Sequence, residues 1–212
     1  MNDTTQSLPV ELTSRLQPQQ RRAQRSVELI LTTAAELLDE VGLNAFNTNL
    51  LAQRAGIRVR TVYRYFPNKF AVLAELARRN TARAIEAVDK FATLADAELP
   101  LLQGLDVLWS NYLSQLAEIP GIAAVRHACR VCPELESIRH DFHSKLSKQL
   151  ETAIKKRGVQ LKPTQRRLVA ALFIETTSAI LDYAETVDRK RRLDLLRELQ
   201  VMQYRYLAPY FS

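Results

Sequence analysis

The spacing that most narrows the fold lies between residues 48 and 69. Over TNLLAQRAGIRVRTVYRYFPNK, the small Ala52 is followed four residues later by Gly56, then by Val62 and Phe66 and a closing Pro67. Leu51, Ala52 and Ala55 share one side of a helix, and the small Ala52 lets a following helix approach closely. Gly56 permits a sharp reversal of the chain. Val62 and Phe66, four apart, give a second short helix its buried side, and Pro67 stops it. The spacing predicts a helix, a tight turn and a second helix.

No Asp or Glu occurs between Glu40 and Glu75, whereas Arg54, Arg58, Arg60, Arg64 and Lys69 all fall inside. With Val62 and Phe66 turned inward, Arg58, Thr61, Tyr63, Arg64 and Tyr65 are expected wholly or partly outside the core. Such a surface suits double-stranded DNA. Arginine forks match guanine edges, while tyrosine hydroxyls and helix N-termini suit phosphates. A second acid-free basic run, Arg15, Arg21, Arg22 and Arg25, precedes the first helix. The formal charge of +7 alone decides little; its clustering carries the argument.

Several function classes drop out. Gly42, Gly56, Gly104, Gly121 and Gly158 lie far apart, so neither a P-loop nor a dinucleotide fingerprint can be assembled. There is no Gly-x-Ser-x-Gly elbow. No catalytic residue is assigned, and neither an enzyme nor a cofactor is expected. No secretory signal is visible, and no apolar run approaches the roughly 18 residues of a membrane span. A cytoplasmic protein with no membrane partner and both cysteines free is expected.

Residues 1–20, rich in Thr, Ser, Gln and Pro, are expected as a flexible arm. Helical periodicity begins at Gln24 and runs to Val41, with Gly42 as C-terminal cap. Asn47 or Thr48 caps the next helix and Asn68 the fourth, which is expected from Lys69 to about Thr93. Further helices open at Pro100, near Ile122, at Pro133, at Pro163 and after Asp188. The run Lys155, Lys156, Arg157, Gly158 marks a helix end. No alternating β-branched run interrupts them. The expectation is an all-α chain of about nine helices. Its parts are an arm (1–20), a helix-turn-helix head (21–68) and a helical remainder (69–212).

Phe46 to Leu73, FNTNLLAQRAGIRVRTVYRYFPNKFAVL, resembles the N-terminal signature of the tetracycline-repressor-like (TetR/AcrR) family of bacterial transcription regulators. Thr48, Leu51-Ala52, Ala55-Gly56-Ile57, Thr61, Tyr63, Phe66, Lys69 and Leu73 carry the likeness. It implies a homodimer on a pseudo-palindromic operator, and a C-terminal domain that takes an unknown small-molecule effector which releases a repressor. It also implies that Thr48 and Lys69 hold phosphates, that Thr61, Tyr63 and Tyr65 lie along the major groove, and that Val59 faces a thymine methyl. The full set of expected DNA contacts is Thr48, Asn49, Arg58, Val59, Arg60, Thr61, Tyr63, Arg64, Tyr65 and Lys69, with Arg21, Arg22 and Arg25 beside them. Arg58 stands where the family usually has Ser or Thr, and Arg60 where it often has Gly. Both are expected to bear on operator choice.

Trp109, Tyr112, Phe142, His143, Phe173 and Tyr183 are spread over the C-terminal helices and are the candidates for an effector pocket. The helices near 163–186 and 188–207 are more apolar than surface helices should be, and are expected to pair two subunits. An alternative is a metal- or redox-responsive regulator. Cys129 and Cys132 followed by His140 and His143 supply ligand types that zinc accepts, although Pro133 separates the two pairs.

Overall fold

The computed structural model describes residues 10–14, 21–88 and 91–211. Among the described residues ten α-helices follow one another: α1 (Arg21–Ala45), α2 (Thr48–Arg54), α3 (Val59–Tyr65), α4 (Lys69–Val88), α5 (Ala92–Ala95), α6 (Leu101–Ala117), α7 (Ile122–Val131), α8 (Glu136–Lys156), α9 (Pro163–Ala184) and α10 (Arg189–Phe211). No strand is present among the described residues. The short α5 is the addition to the expected set, and it falls where α4 was expected to end; α4 is described to Val88, and residues 89 and 90 lie outside the described residues.

The chain ends its helices with the chemistry that the sequence offers. Asn47 caps α2, its Oδ1 accepting the Leu50 N–H at 2.9 Å. Asn68 does the same for the Ala71 N–H of α4 at 2.9 Å. Asp188 Oδ1 accepts the N–H groups of Lys190 and Arg191 at the start of α10. Each such cap is worth about 1 kcal/mol. At Gly42 the helical path of α1 breaks, with φ 71° and ψ 175°. That is extended backbone at positive φ, open only to glycine, rather than the left-handed helical cap expected there. Pro133 opens a single 3-10 turn, Pro133–Leu135, and α8 proper begins at Glu136.

Two large apolar cores result. The first lies beneath α1, α2, α3 and the start of α4, and it takes in Val125, Ala128 and Cys129 of α7. The second gathers α5, α6, α8, α9 and the end of α10. Gly121, at φ 70°, brings the start of α7 against α1: a Cβ there would sit 3.0 Å from the Ala35 carbonyl oxygen. Its N–H donates to Asp39 Oδ2 at 2.8 Å, which ties the same two helices.

Residues 11–14, within the expected arm, make contacts with the head. Leu12 packs against the first core. Asn68 Nδ2 donates to the Glu11 carbonyl, Arg78 to the Leu12 carbonyl, and Ser14 Oγ to the Tyr65 carbonyl. Residues 1–9 and 15–20, Arg15 among them, lie outside the described residues.

Candidate nucleic-acid interface and effector cavity

The α2–α3 pair is built by a short list of contacts. The Ile57 N–H donates to the Ala52 carbonyl at 3.0 Å and the Gly56 N–H to the Gln53 carbonyl at 3.2 Å. This double closure needs positive φ at its glycine, and Gly56 has φ 64°. Below the turn, Val62 and Phe66 are fully buried. Each stabilises the head by about 1.5–3 kcal/mol. Arg58 stands at the N-cap of α3 without a side-chain cap bond, as its replacement of Ser or Thr implies.

Around α3, Arg58, Val59, Arg60, Tyr63 and Arg64 are exposed and Thr61 is half-buried. Asn49 is exposed on α2, and Arg21, Arg22 and Arg25 are exposed along the first turns of α1. Lys69 is half-buried at the start of α4, its Nζ 5.4 Å from the Phe70 ring centroid. Thr48 is buried, and its hydroxyl lies 3.0 Å from the Tyr63 hydroxyl. Arg54 is held in an ion pair by Glu40.

Tyr65 departs from expectation. It is 4% exposed and belongs to the head core, so its ring does not stand along the open face of α3. It packs beside Val62 and Phe66, while Arg64 lies 5.9 Å from its ring centroid.

Deeper in the molecule, a cavity of about 110 Å³ lies between α4, α6, α7, α8 and α9. Trp109, Tyr112, Phe142, His143 and Phe173, candidates named from the sequence, are among the residues that line it. Tyr183 is not among them; it is exposed on the outer side of α9, where its hydroxyl accepts from Arg191. Sequence reasoning missed the polar wall residues, among them Asn80, Arg126, Arg139 and Asp182. Burial raises the pKa of the Tyr112 phenol, with Arg126 opposing and Asp182 adding to the shift. His143 Nδ1 is 2.9 Å from Glu175 Oε1.

For the metal alternative, no ligand cluster is shown among the described residues: no three His, Cys, Asp or Glu side chains are grouped to hold an ion. Cys129 is buried in the head core, His140 is exposed, and His143 is engaged with Glu175. Burial first, then the neighbouring Cys132, pushes the Cys129 thiol up to about 12, which disfavours the thiolate that metals and oxidants need.

Two family models match this architecture: bacterial regulatory proteins of the tetR family over residues 30–76, and the tetracyclin repressor-like C-terminal domain over residues 100–207. The chain belongs to the TetR family. It is a TetR-family transcription regulator with a DNA-binding helix-turn-helix. Tetracycline repressor protein class C of Escherichia coli is 42% identical over 50 residues, 24% of this chain and 23% of that repressor. The match therefore spans about a quarter of its curated relative's length. A TetR-family transcriptional regulator from Streptomyces coelicolor superposes with a TM-score of 0.62 at 27% identity, over 87% of this chain and 99% of the other. A TetR-family regulator from Haemophilus influenzae shares the fold at 21% identity and TM-score 0.55, covering 88% and 98%. No helix among the described residues is long and apolar enough to cross a membrane.

Proposed function

We propose that this TetR regulator is a homodimeric repressor of the cytoplasm, released from a pseudo-palindromic operator by a small effector that enters the cavity. The observation that carries the reading is the path of α4. Its first residue, Lys69, follows the recognition helix α3 by only Phe66, Pro67 and Asn68, while Ala77, Asn80, Thr81 and Ala84 further along form cavity wall. One rigid element thus touches both sites. A ligand that favours a different tilt of α4 shifts the spacing of the two heads, to the extent that it binds the two states unequally.

In this reading residues 21–68 are the DNA-reading unit and 69–212 the effector-binding and dimerising unit. Tyr63, Thr61, Arg58, Val59, Arg60 and Arg64 meet the groove and its edges. Thr48 fixes Tyr63, Asn49 and Lys69 meet phosphates, and Arg21, Arg22 and Arg25 add charge alongside. Support for pairing comes from a second apolar side on the last two helices: Leu168, Leu172, Tyr183, Leu193, Val201 and Met202 are exposed, although α9 and α10 already bury other faces. Two copies joined there would hold two recognition helices about 34–36 Å apart, one turn of DNA.

A reporter assay tests the reading. A duplex selected by the protein from random DNA is placed over a promoter, and co-expression of the chain is expected to lower the reporter. A compound that fills the cavity is expected to restore it. Raised expression, or none of these responses, overturns the repressor assignment.

A further inference from the structure

Resting on the reading of the cavity as the effector site, we propose that its ligand is a carboxylic acid with an apolar body, its carboxylate held by Asn80, Arg126 and Arg139.

Aromatic and aliphatic side chains supply most of the wall, among them Phe91, Trp109, Phe142 and Phe173. Three buried polar atoms of the wall residues have no hydrogen-bond partner: Asn80 Nδ2, Arg126 Nε and Arg139 Nε. Asn80 is 7% exposed, so solvent does not stand in for a partner. All three atoms are donors. A buried donor left unpaired is costly, and more so where it is charged, so a ligand that supplies acceptors gains by meeting them.

The acids nearby are already engaged. Asp182, the carboxylate on the wall, lies 3.5 Å from Nε of Arg126 and 3.5 Å from Nε of Arg130. Glu185 faces Arg126 at 3.3 Å and Arg192 at 2.8 Å. Arg139 is the least compensated: its nearest carboxylate oxygen is Glu175 Oε2 at 4.0 Å, on a side chain whose other oxygen meets His143. Arg126 Nε is thus partly met by Asp182, while Asn80 Nδ2 and Arg139 Nε stay open, and open donors beside occupied acceptors select an anion over an amine. A carboxylate has two oxygens and about four lone-pair sites, enough for three donors, and its plane suits a guanidinium. Asn80 lies on α4, so the head group would engage the helix that leads to the DNA-binding head.

Trp109, the single tryptophan, sits on the cavity wall and reports occupancy. The full-length chain is titrated at pH 7.5 with matched probes: octanoate against octanamide, and 4-phenylbutyrate against 4-phenylbutyramide. Tryptophan fluorescence and Tm are followed. Each acid is expected to bind at least tenfold more tightly than its amide. In Asn80→Leu and Arg139→Gln the preference is expected to fall below threefold, with helical circular dichroism and a cooperative unfolding transition retained, which shows that the variants fold. Equal binding of acid and amide, tighter binding of octylamine, or a preference that survives both substitutions overturns the carboxylate assignment and leaves the effector cavity standing. No fluorescence or Tm response to any apolar probe overturns the cavity reading itself, and this inference with it.

Discussion

The hydroxyls of Thr48 and Tyr63 lie 3.0 Å apart, joining the first residue of α2 to the middle of α3. Thr48 is buried while Tyr63 is 42% exposed, so one partner is fixed and the other faces solvent. The pair sets where the Tyr63 ring points before any DNA arrives.

Thr48→Val and Tyr63→Phe are therefore expected to weaken specific DNA binding together rather than independently. A double-mutant cycle by fluorescence anisotropy on a selected duplex is expected to give a coupling of about 0.5–1.5 kcal/mol, that of one hydrogen bond. Losses that simply add would show that Thr48 does not act through Tyr63.

Arg60 is exposed one residue into α3, and Arg58 sits at its uncapped N-terminus. Arg60→Ala is expected to lower affinity for the selected duplex more than for random DNA. If Arg60 meets a phosphate, the slope of log affinity against log salt also falls by about 0.9. Unchanged affinity for both duplexes would remove Arg60 from operator choice.

The exposed apolar side chains of α9 and α10 give the pairing test. Leu168 is 60% exposed and Leu172 50%, far more than a helix that already buries Phe173 and Ile174 requires. Leu172→Arg is expected to yield a folded monomer by light scattering at micromolar concentration, with helical circular dichroism retained and tight operator binding lost. A variant that stays dimeric would place the subunit contact elsewhere.

Thiol chemistry checks the environment of Cys129. Its pKa is raised from 9.0 to about 12, so its thiol is neutral at pH 8 and the thiolate forms only as pH climbs through that window. The sign also gives stability: burying the neutral thiol contributes fully below about pH 9, and the contribution is lost as pH rises toward 12. Iodoacetamide at pH 8, read by mass spectrometry, is expected to modify the half-buried Cys132 well before Cys129. Equal rates would mean that Cys129 is reached by local opening of α7.

The helix-turn-helix was legible because everything that makes it is local. Ala52, Gly56, Val62, Phe66 and Pro67 lie within sixteen residues, and the caps at Asn47, Asn68 and Asp188 each act within four. Tyr65 was misplaced although it falls three residues after Val62 and one before Phe66, on the stripe of a buried helix face. Its hydroxyl and the basic residues around it suggested the polar side, and the first core claimed the ring. Leu12 is one of several apolar residues scattered through the arm without helical spacing, and only the first core singles it out as a packing partner. The cavity's polar wall was equally hidden. Nothing in the sequence singles out Arg126 or Arg139, and only the packing of α7 and α8 with α9 brings them to the cavity wall. Tyr183 shows the converse: an aromatic residue on an apolar helix that faces outward.

Selection from a library of random duplexes at moderate salt, followed by sequencing, tests the central claim most directly. The account predicts an enriched pseudo-palindrome whose half-site centres are separated by about one helical turn, 10–10.5 base pairs, or a multiple of it. Uniform recovery of all sequences, with binding that collapses steeply as salt rises, would contradict it and leave α3 as a basic surface without a sequence to read.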